Sequence, residues 1–161
     1  GLNSQRLAEL RTDIQTSRET IETPRVGMGG TPPSSQQADE DFNAAQSAYD
    51  RDPASAAARR GFEQFIRQYP DDARAPDAHY QLANILLEAE SSDSALGQLS
   101  LIPQRYPTSP RVPEALYRMG TIELDRGNPD AAREHLQRLV TNYPDSDVTQ
   151  LARERLAEIG N

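Results

Sequence analysis

Apolar positions between residues 39 and 161 recur as paired stripes with helical spacing. Leu82, Ile85 and Leu86 form one stripe, and Ala95, Leu99 and Ile102 form the next. Steps of three and four residues put such side chains on one face of an α-helix. A polar break separates the stripes, "ESSD" at 90–93 and "RGNPD" at 126–130. The pattern therefore predicts a helix, a tight turn and a second helix. A shift of 37 residues lays the pattern on itself: Pro76 falls on Pro113, Ala78 on Ala115, Tyr80 on Tyr117, Leu82 on Met119, Ile85 on Ile122 and Leu87 on Leu124. In the second half Ala58, Ala95 and Ala132 coincide, as do Phe62, Leu99 and Leu136, and then Phe65, Ile102 and Leu139. The front of the first copy, "FNAAQSAY", fits only with one extra residue near Asp52. Its Ala44, Ala45 and Ala48 make a weaker stripe than the Leu and Ile of the others.

Proline punctuates the copies. Tyr69-Pro70, Tyr106-Pro107 and Tyr143-Pro144 recur at the same 37-residue period. Proline cannot continue a helix and biases the residue before it away from α, so each Tyr-Pro should end a second helix. Pro76 and Pro113 then sit in the first turn of the next helix. Asp52-Pro53 and Asn128-Pro129 both read as an N-cap followed by a first-turn proline. The small residues Ala83 and Gly120, with Ala58, Ala95 and Ala132, should mark where paired helices cross. Pro103 stands where the other copies have Ile66 and Val140. It removes the bond to the Leu99 carbonyl, and the helix should bend or stop near Ile102.

Outside the repeats the composition changes. Residues 24–38, "PRVGMGGTPPSSQQA", contain three Gly and three Pro and read as a linker. Residues 1–23 hold none of the nine aromatic side chains. Leu7, Leu10, Ile14 and Ile21 occupy heptad a and d positions there, which predicts a coiled-coil-like helix; a short amphipathic helix docked on another surface is the alternative. At the other end, residues 147–159 carry Val148, Leu151, Ala152, Leu156 and Ile159 on one face, as a helix covering the last open core would.

These features together resemble the tetratricopeptide repeat, a helix-turn-helix of about 34 residues ending in Pro. The resemblance implies an all-α solenoid: repeats at about 39–72, 73–109 and 110–146, then a capping helix at 147–159. Three extra residues separate each Pro from the next helix, as in "YPDDARAPDA" and "YPTSPRVPEA". With "ALYRMG" and "LARERLAEIG", these stretches are similar to the Tol–Pal-associated periplasmic coordinator family (YbgF/CpoB type). Membership would imply a periplasmic, non-enzymatic scaffold, homotrimeric through its N-terminal helix. Its partners would be envelope proteins, either Tol–Pal components or the peptidoglycan synthesis machinery, and its task would be coupling outer-membrane constriction to wall synthesis at division. A fixed structural or assembly subunit of an envelope complex is the rival reading. An accessory that positions substrate for a hydrolase is a third.

Charge narrows the partners. A net charge of -8 with pI about 4.8 argues against nucleic acid, whose binding rests on Lys and Arg. No apolar run is long enough to span a membrane. There is no cysteine. His79 and His135 lie 56 residues apart without a carboxylate at metal-ligand spacing, so they read as surface or groove-lining residues. No catalytic constellation, metal site or cofactor motif is seen.

By the repeat resemblance, the first helix of each pair lines a concave groove. Its residues outside the core stripe are Phe42, Gln46 and Tyr49, then Tyr80, Asn84 and Glu88, then Tyr117, Thr121 and Asp125, joined by Asp39, Asp77 and Glu114. Phe42, Tyr80 and Tyr117 recur once per repeat, as an aromatic ladder facing a ligand or as rings packed between helices. Gln46 and Asn84 suit hydrogen bonds to a bound backbone. The acidic residues favour a basic or neutral peptide. If residues 1–23 carry the oligomerisation, Leu10→Glu with Ile14→Glu gives a monomer by light scattering with unchanged repeat helicity. A monomeric parent, or a variant that keeps its mass, ends that idea.

Overall fold

In the computed structural model, which describes residues 34–160, the three Tyr-Pro dipeptides end their helices in the same backbone conformation. The φ/ψ pairs of Tyr69, Tyr106 and Tyr143 are -129/55, -126/56 and -133/56. Each Tyr N–H still bonds back into its helix, to Phe65, Ile102 and Leu139, at 2.8–2.9 Å. Each Tyr carbonyl then accepts from the residue three ahead: Asp72 (3.1 Å), Ser109 (3.0 Å) and Ser146 (3.2 Å). A second such bond follows, from Ala75, Val112 and Thr149 to the carbonyls of Asp72, Ser109 and Ser146. Two linked turns thus use the carbonyls that proline leaves stranded and start the next helix.

The described residues form seven helices and no strand. They are α1 (Ser35–Arg51), α2 (Ala56–Gln68), α3 (Ala75–Glu88), α4 (Ser92–Arg105), α5 (Val112–Asp125), α6 (Pro129–Asn142) and α7 (Thr149–Ile159). Three helix pairs, α1/α2, α3/α4 and α5/α6, are followed by α7. Each helix packs principally on its neighbours in the chain. The fold is the expected all-α solenoid.

Inside the pairs, the turns explain the odd residue of the first copy. Helices α3 and α5 end alike. Glu90 and Gly127 have positive φ (56° and 76°), and the N–H groups of Ser91 and Asn128 reach back to the carbonyls of Leu86 and Glu123 at 2.8 Å. This is the Schellman ending, which favours Gly at the left-handed position. The first pair has a longer connection instead, with the Asp52 carboxylate accepting from the Ala54 N–H at 3.0 Å. Asp52-Pro53 therefore lies in the turn and does not cap a helix; Ser55 caps α2 by accepting from Ala58 N–H. Asn128 does precede α6, but its side chain donates to Glu123 (2.7 Å) and caps nothing.

Other expectations also shift. Helix α1 begins at Ser35, so four residues read as linker are helical. Ser34 caps them, Gln36–Glu40 and Gln37–Asp41 bond across one turn, and Ala38 is buried. Helix α4 does not stop at Ile102 but runs to Arg105 through Pro103. Proline so near the helix end costs one bond, and the Tyr106 N–H still closes onto Ile102. In α7, Leu151 is 45% exposed, while Ala152 is buried and Leu156 and Ile159 pack at the core edge. The heptad residues Leu7, Leu10, Ile14 and Ile21 lie outside the described residues.

The core is a column to which both helices of each pair contribute, with the largest side chains of the second helices at its centre. Phe62 and Phe65, Leu99 and Ile102, and Leu136 and Leu139 are fully buried, each worth about 1.5–3 kcal/mol. The two ends of the column are polar for a clear reason. Among the described residues no helix pair precedes α1, and Gln37, Glu40, Ala44 and Ser47 are exposed on it. Their counterparts Ala75, Ala78, Leu82 and Ile85 are buried in α3. Helix α7 has the register of a first helix, and among the described residues no second helix packs on it: Arg153 stands exposed where Leu116 is buried.

Close approach within a pair rests on small residues. A Cβ added at Gly120 would meet Leu136 side-chain atoms at 2.7 Å, whereas one at Gly97 would meet nothing. Leu136 is fully buried and cannot yield. Gly120→Val should destabilise by about 2 kcal/mol through overpacking. Gly97→Ala should stabilise by about 0.5–1 kcal/mol through helix propensity. Thermal unfolding of the two variants checks the opposite signs.

Candidate functional site

All 17 basic residues of the chain are arginine. Arginine differs from lysine in laying a flat guanidinium on a ring while forking onto carboxylates. The linked turns after Tyr-Pro put one such residue at the start of α3 and one at the start of α5. Arg74 and Arg111 precede Ala75 and Val112, and their N–H groups bond the Asp72 carboxylate (2.9 Å) and the Ser109 hydroxyl (3.1 Å). Their side chains reach back over the preceding repeat. The Arg74 guanidinium lies 5.4 Å from the Phe42 ring centroid, and that of Arg111 lies 5.1 Å from Tyr80.

The same two arginines hold the acidic residues of this face. Arg74 pairs with Asp39 at 2.7 Å and with Asp72 at 2.8 Å, and this pairing holds the Asp72 carboxyl below its ordinary range. Arg111 pairs with Asp77 at 2.6 Å and also with Glu114. Ring, guanidinium and carboxylate thus alternate from repeat to repeat. Each contact alone is worth about 1 kcal/mol or less, being partly exposed. Together they fix the tilt between neighbouring first helices. Sequence reasoning missed both arginines, although their 37-residue spacing just before Pro76 and Pro113 was visible.

The aromatic ladder is accordingly different from the one expected. Phe42 meets Phe62 and Phe65 edge-on at 6.0 and 5.1 Å, and Tyr49 meets Phe62 at 6.3 Å. Tyr80 lies under Arg111, and Tyr117 beside Arg155. The rings are half-buried: each packs on the core cluster with part of its surface and leaves the rest free. The expected acidity of the face changes as well, because Asp39, Asp77 and Glu114 all carry an arginine.

Two groups of the expected site residues come together. Gln46 and Asn84 are joined through Gln81, a residue not among those expected, in a chain of amides across the first two repeats (3.5 and 3.4 Å), and Gln46 is anchored on Asp50 at 2.8 Å. Tyr117, Thr121 and Asp125 line a cleft of about 300 Å³ with Arg118, Leu124 and Arg155. Glu88 is exposed at the end of α3 and joins neither group.

The histidines are not as expected. His79 is only 2% exposed, and His135 is half-buried. His79 occupies the register of the buried Leu116. Its Nδ1 is 2.8 Å from Gln98 Oε1, and its ring lies 5.8 Å from that of Tyr106. Its Nε2 has no protein partner. Glu63, Arg67 and Arg105 line the same cleft between α2 and α4. In the first repeat the same layer holds Asp41, which accepts from the Tyr69 hydroxyl at 2.7 Å. Burial and that carboxylate push the Tyr69 phenol up to about 12.

A column of helix pairs whose first helices share one face defines a helical repeat scaffold. The sequence comparison agrees: tetratricopeptide-repeat patterns match residues 42–110 and 114–146. The chain belongs to the tetratricopeptide-repeat family, whose members act as protein–protein interaction scaffolds. No curated protein matches it. No helix among the described residues is long and apolar enough to cross a membrane.

Burial, aided by Arg105, holds the His79 pKa below its ordinary value against the opposing pull of Gln98. The unfolded chain, titrating near 6.5, then binds more protons just below that pH. Stability is therefore fully present above about pH 6.5 and falls as pH drops toward the folded pKa. His79→Leu should lose less stability than the parent between about pH 7.5 and 5. His135, also held low by burial, is common to both proteins and cancels. Denaturant midpoints at the two pH values check the difference.

Proposed function

We propose that the first-helix face holds an extended segment of a protein partner in the bacterial cell envelope. The observation that carries this reading is the regular row of half-buried rings, Phe42, Tyr80 and Tyr117, beside the amides of Gln46, Gln81 and Asn84. Rings held in place by arginine lose little entropy on binding, and amides beside them can pair with a peptide backbone. Stretches such as "YPDDARAPDAHY" support placing the chain with the Tol–Pal-associated coordinators. On that reading it is periplasmic, trimerises through residues 1–23 and links outer-membrane constriction to peptidoglycan synthesis at division.

Tyr80→Ala with Asn84→Ala should weaken capture of envelope partners at least tenfold, about 1.4 kcal/mol. Quantitative pull-down from envelope extract measures this, with thermal unfolding of the same variant beside it. Full-strength capture by the folded variant removes this face as the site. Loss of capture together with a collapsed melting temperature assigns Tyr80 to the core instead. Exchangeable partners fit a coordinator, whereas stoichiometric, detergent-stable recovery of one complex fits a fixed assembly subunit.

A further inference from the structure

Arg118 stands apart from the other described arginines. Arg59, Arg74, Arg111, Arg126, Arg133 and Arg155 each have a carboxylate within 4.0 Å. The rest, apart from Arg118, are exposed. Arg118 alone is half-buried without a carboxylate, and its Nε is buried with no hydrogen-bond partner. Removing a cation from water without a counter-charge is costly, and this chain, at net charge -8, has carboxylates to spare. The Arg118 register is Asn43 in the first repeat, Gln81 in the second and Arg155 in α7, so the first two repeats fold without a cation there.

The surroundings of Arg118 are those of an anion site. The cleft it lines contains the Tyr117 and Thr121 side chains and a second guanidinium, Arg155. Arg155 is held at 2.9 Å by Glu158. Asp125 also lines the cleft but is not within ion-pair distance of Arg118. Toward the second repeat, the nearby carboxylates Asp77 and Glu114 are both taken by Arg111. Of the two guanidiniums here, that of Arg155 is shared with Glu158 and only that of Arg118 has no carboxylate.

Resting on the reading of this face as a peptide groove, we propose that Arg118, with Arg155, Tyr117 and Thr121, receives an Asp or Glu side chain from an extended segment of the protein partner. A guanidinium forks onto a carboxylate, and the Tyr117 hydroxyl supplies a further donor, while Thr121 lines the cleft with its own hydroxyl donating to the Arg118 carbonyl at 2.9 Å. The partner is thus acidic at the residue seated near α5 and α7, despite the acidity of this chain. The site sets register along the groove, because one carboxylate must meet one cation.

The test uses the full chain as bait for displayed random 12-residue peptides fused at their C-termini, so that side chains supply the only carboxylates. The selected pool should be enriched in Asp and Glu. The leading peptide, made with an amidated end, should lose at least tenfold in affinity on Arg118→Gln. Replacing its acidic residue by the amide should cost the same in the parent and nothing more in the variant. Asp125→Asn should tighten binding. Arg118→Leu keeps much of the aliphatic packing and, with circular dichroism, separates lost binding from lost fold. A neutral or basic pool overturns the proposal, as does undiminished binding to a folded Arg118 variant. Peptides lost on Tyr80→Ala with Asn84→Ala but kept on Arg118→Gln leave the groove standing and sink the anion site. Peptides indifferent to both changes sink the groove and the anion site together.

Discussion

A tyrosine that closes one helix and a proline that cannot continue it impose the same two linked turns three times. The Tyr carbonyl, freed from the helix, accepts from the residue three ahead, and that residue's carbonyl accepts in turn from the start of the next helix. Because the same bonds recur, each helix pair is presented to the next in the same local geometry. Everything further out inherits this repetition. The buried column of Phe and Leu side chains is continuous because the pairs stack in register, and the first helices share one face for the same reason.

The linked turns also decide where the charges go. They place Arg74 and Arg111 one residue ahead of α3 and α5, from which each side chain covers a ring of the preceding repeat and pairs with its acidic residue. Polar contacts of this kind add little stability at a half-exposed surface. Their effect is geometric: a helix that rotated or slid would separate ring, guanidinium and carboxylate at once. The register ends at α7. Val148 follows Arg74 and Arg111 there, and Leu151 follows Asp77 and Glu114. The last link is apolar, and Leu151 is left exposed.

The departures from the repeat are instructive. His79 replaces a leucine and retains an unpartnered nitrogen, Pro103 sits inside a helix that nonetheless runs to its usual end, and Arg118 replaces a glutamine without gaining a counter-ion. The fold tolerates each because its neighbours supply the missing packing. A position where an easier residue stands one repeat away, yet a harder one is used, is where a repeat scaffold can acquire specificity without changing architecture.

Periodicity alone determined the helix pairs, the ends at Tyr-Pro and the small residues at the crossings, because these follow from spacing and from the chemistry of proline and glycine; the solenoid followed once those pairs were seen to resemble the tetratricopeptide repeat. The resemblance to the tetratricopeptide repeat, and not spacing by itself, pointed to Gln46, Tyr80, Asn84, Tyr117, Thr121 and Asp125 on the first helices. Local signals failed where two readings were equally good in one dimension. Asp52-Pro53 has the residues of a cap but lies in a turn, and "SSQQA" has the look of a linker but starts a helix. Only the tertiary structure decided that His79 is buried, that Asp39, Asp77 and Glu114 are already paired, and that Arg118 is not. Pairing and burial depend on side chains about 37 residues apart in sequence, and their distances are set by how one repeat leans on the next. A count of charges cannot show which of them have met.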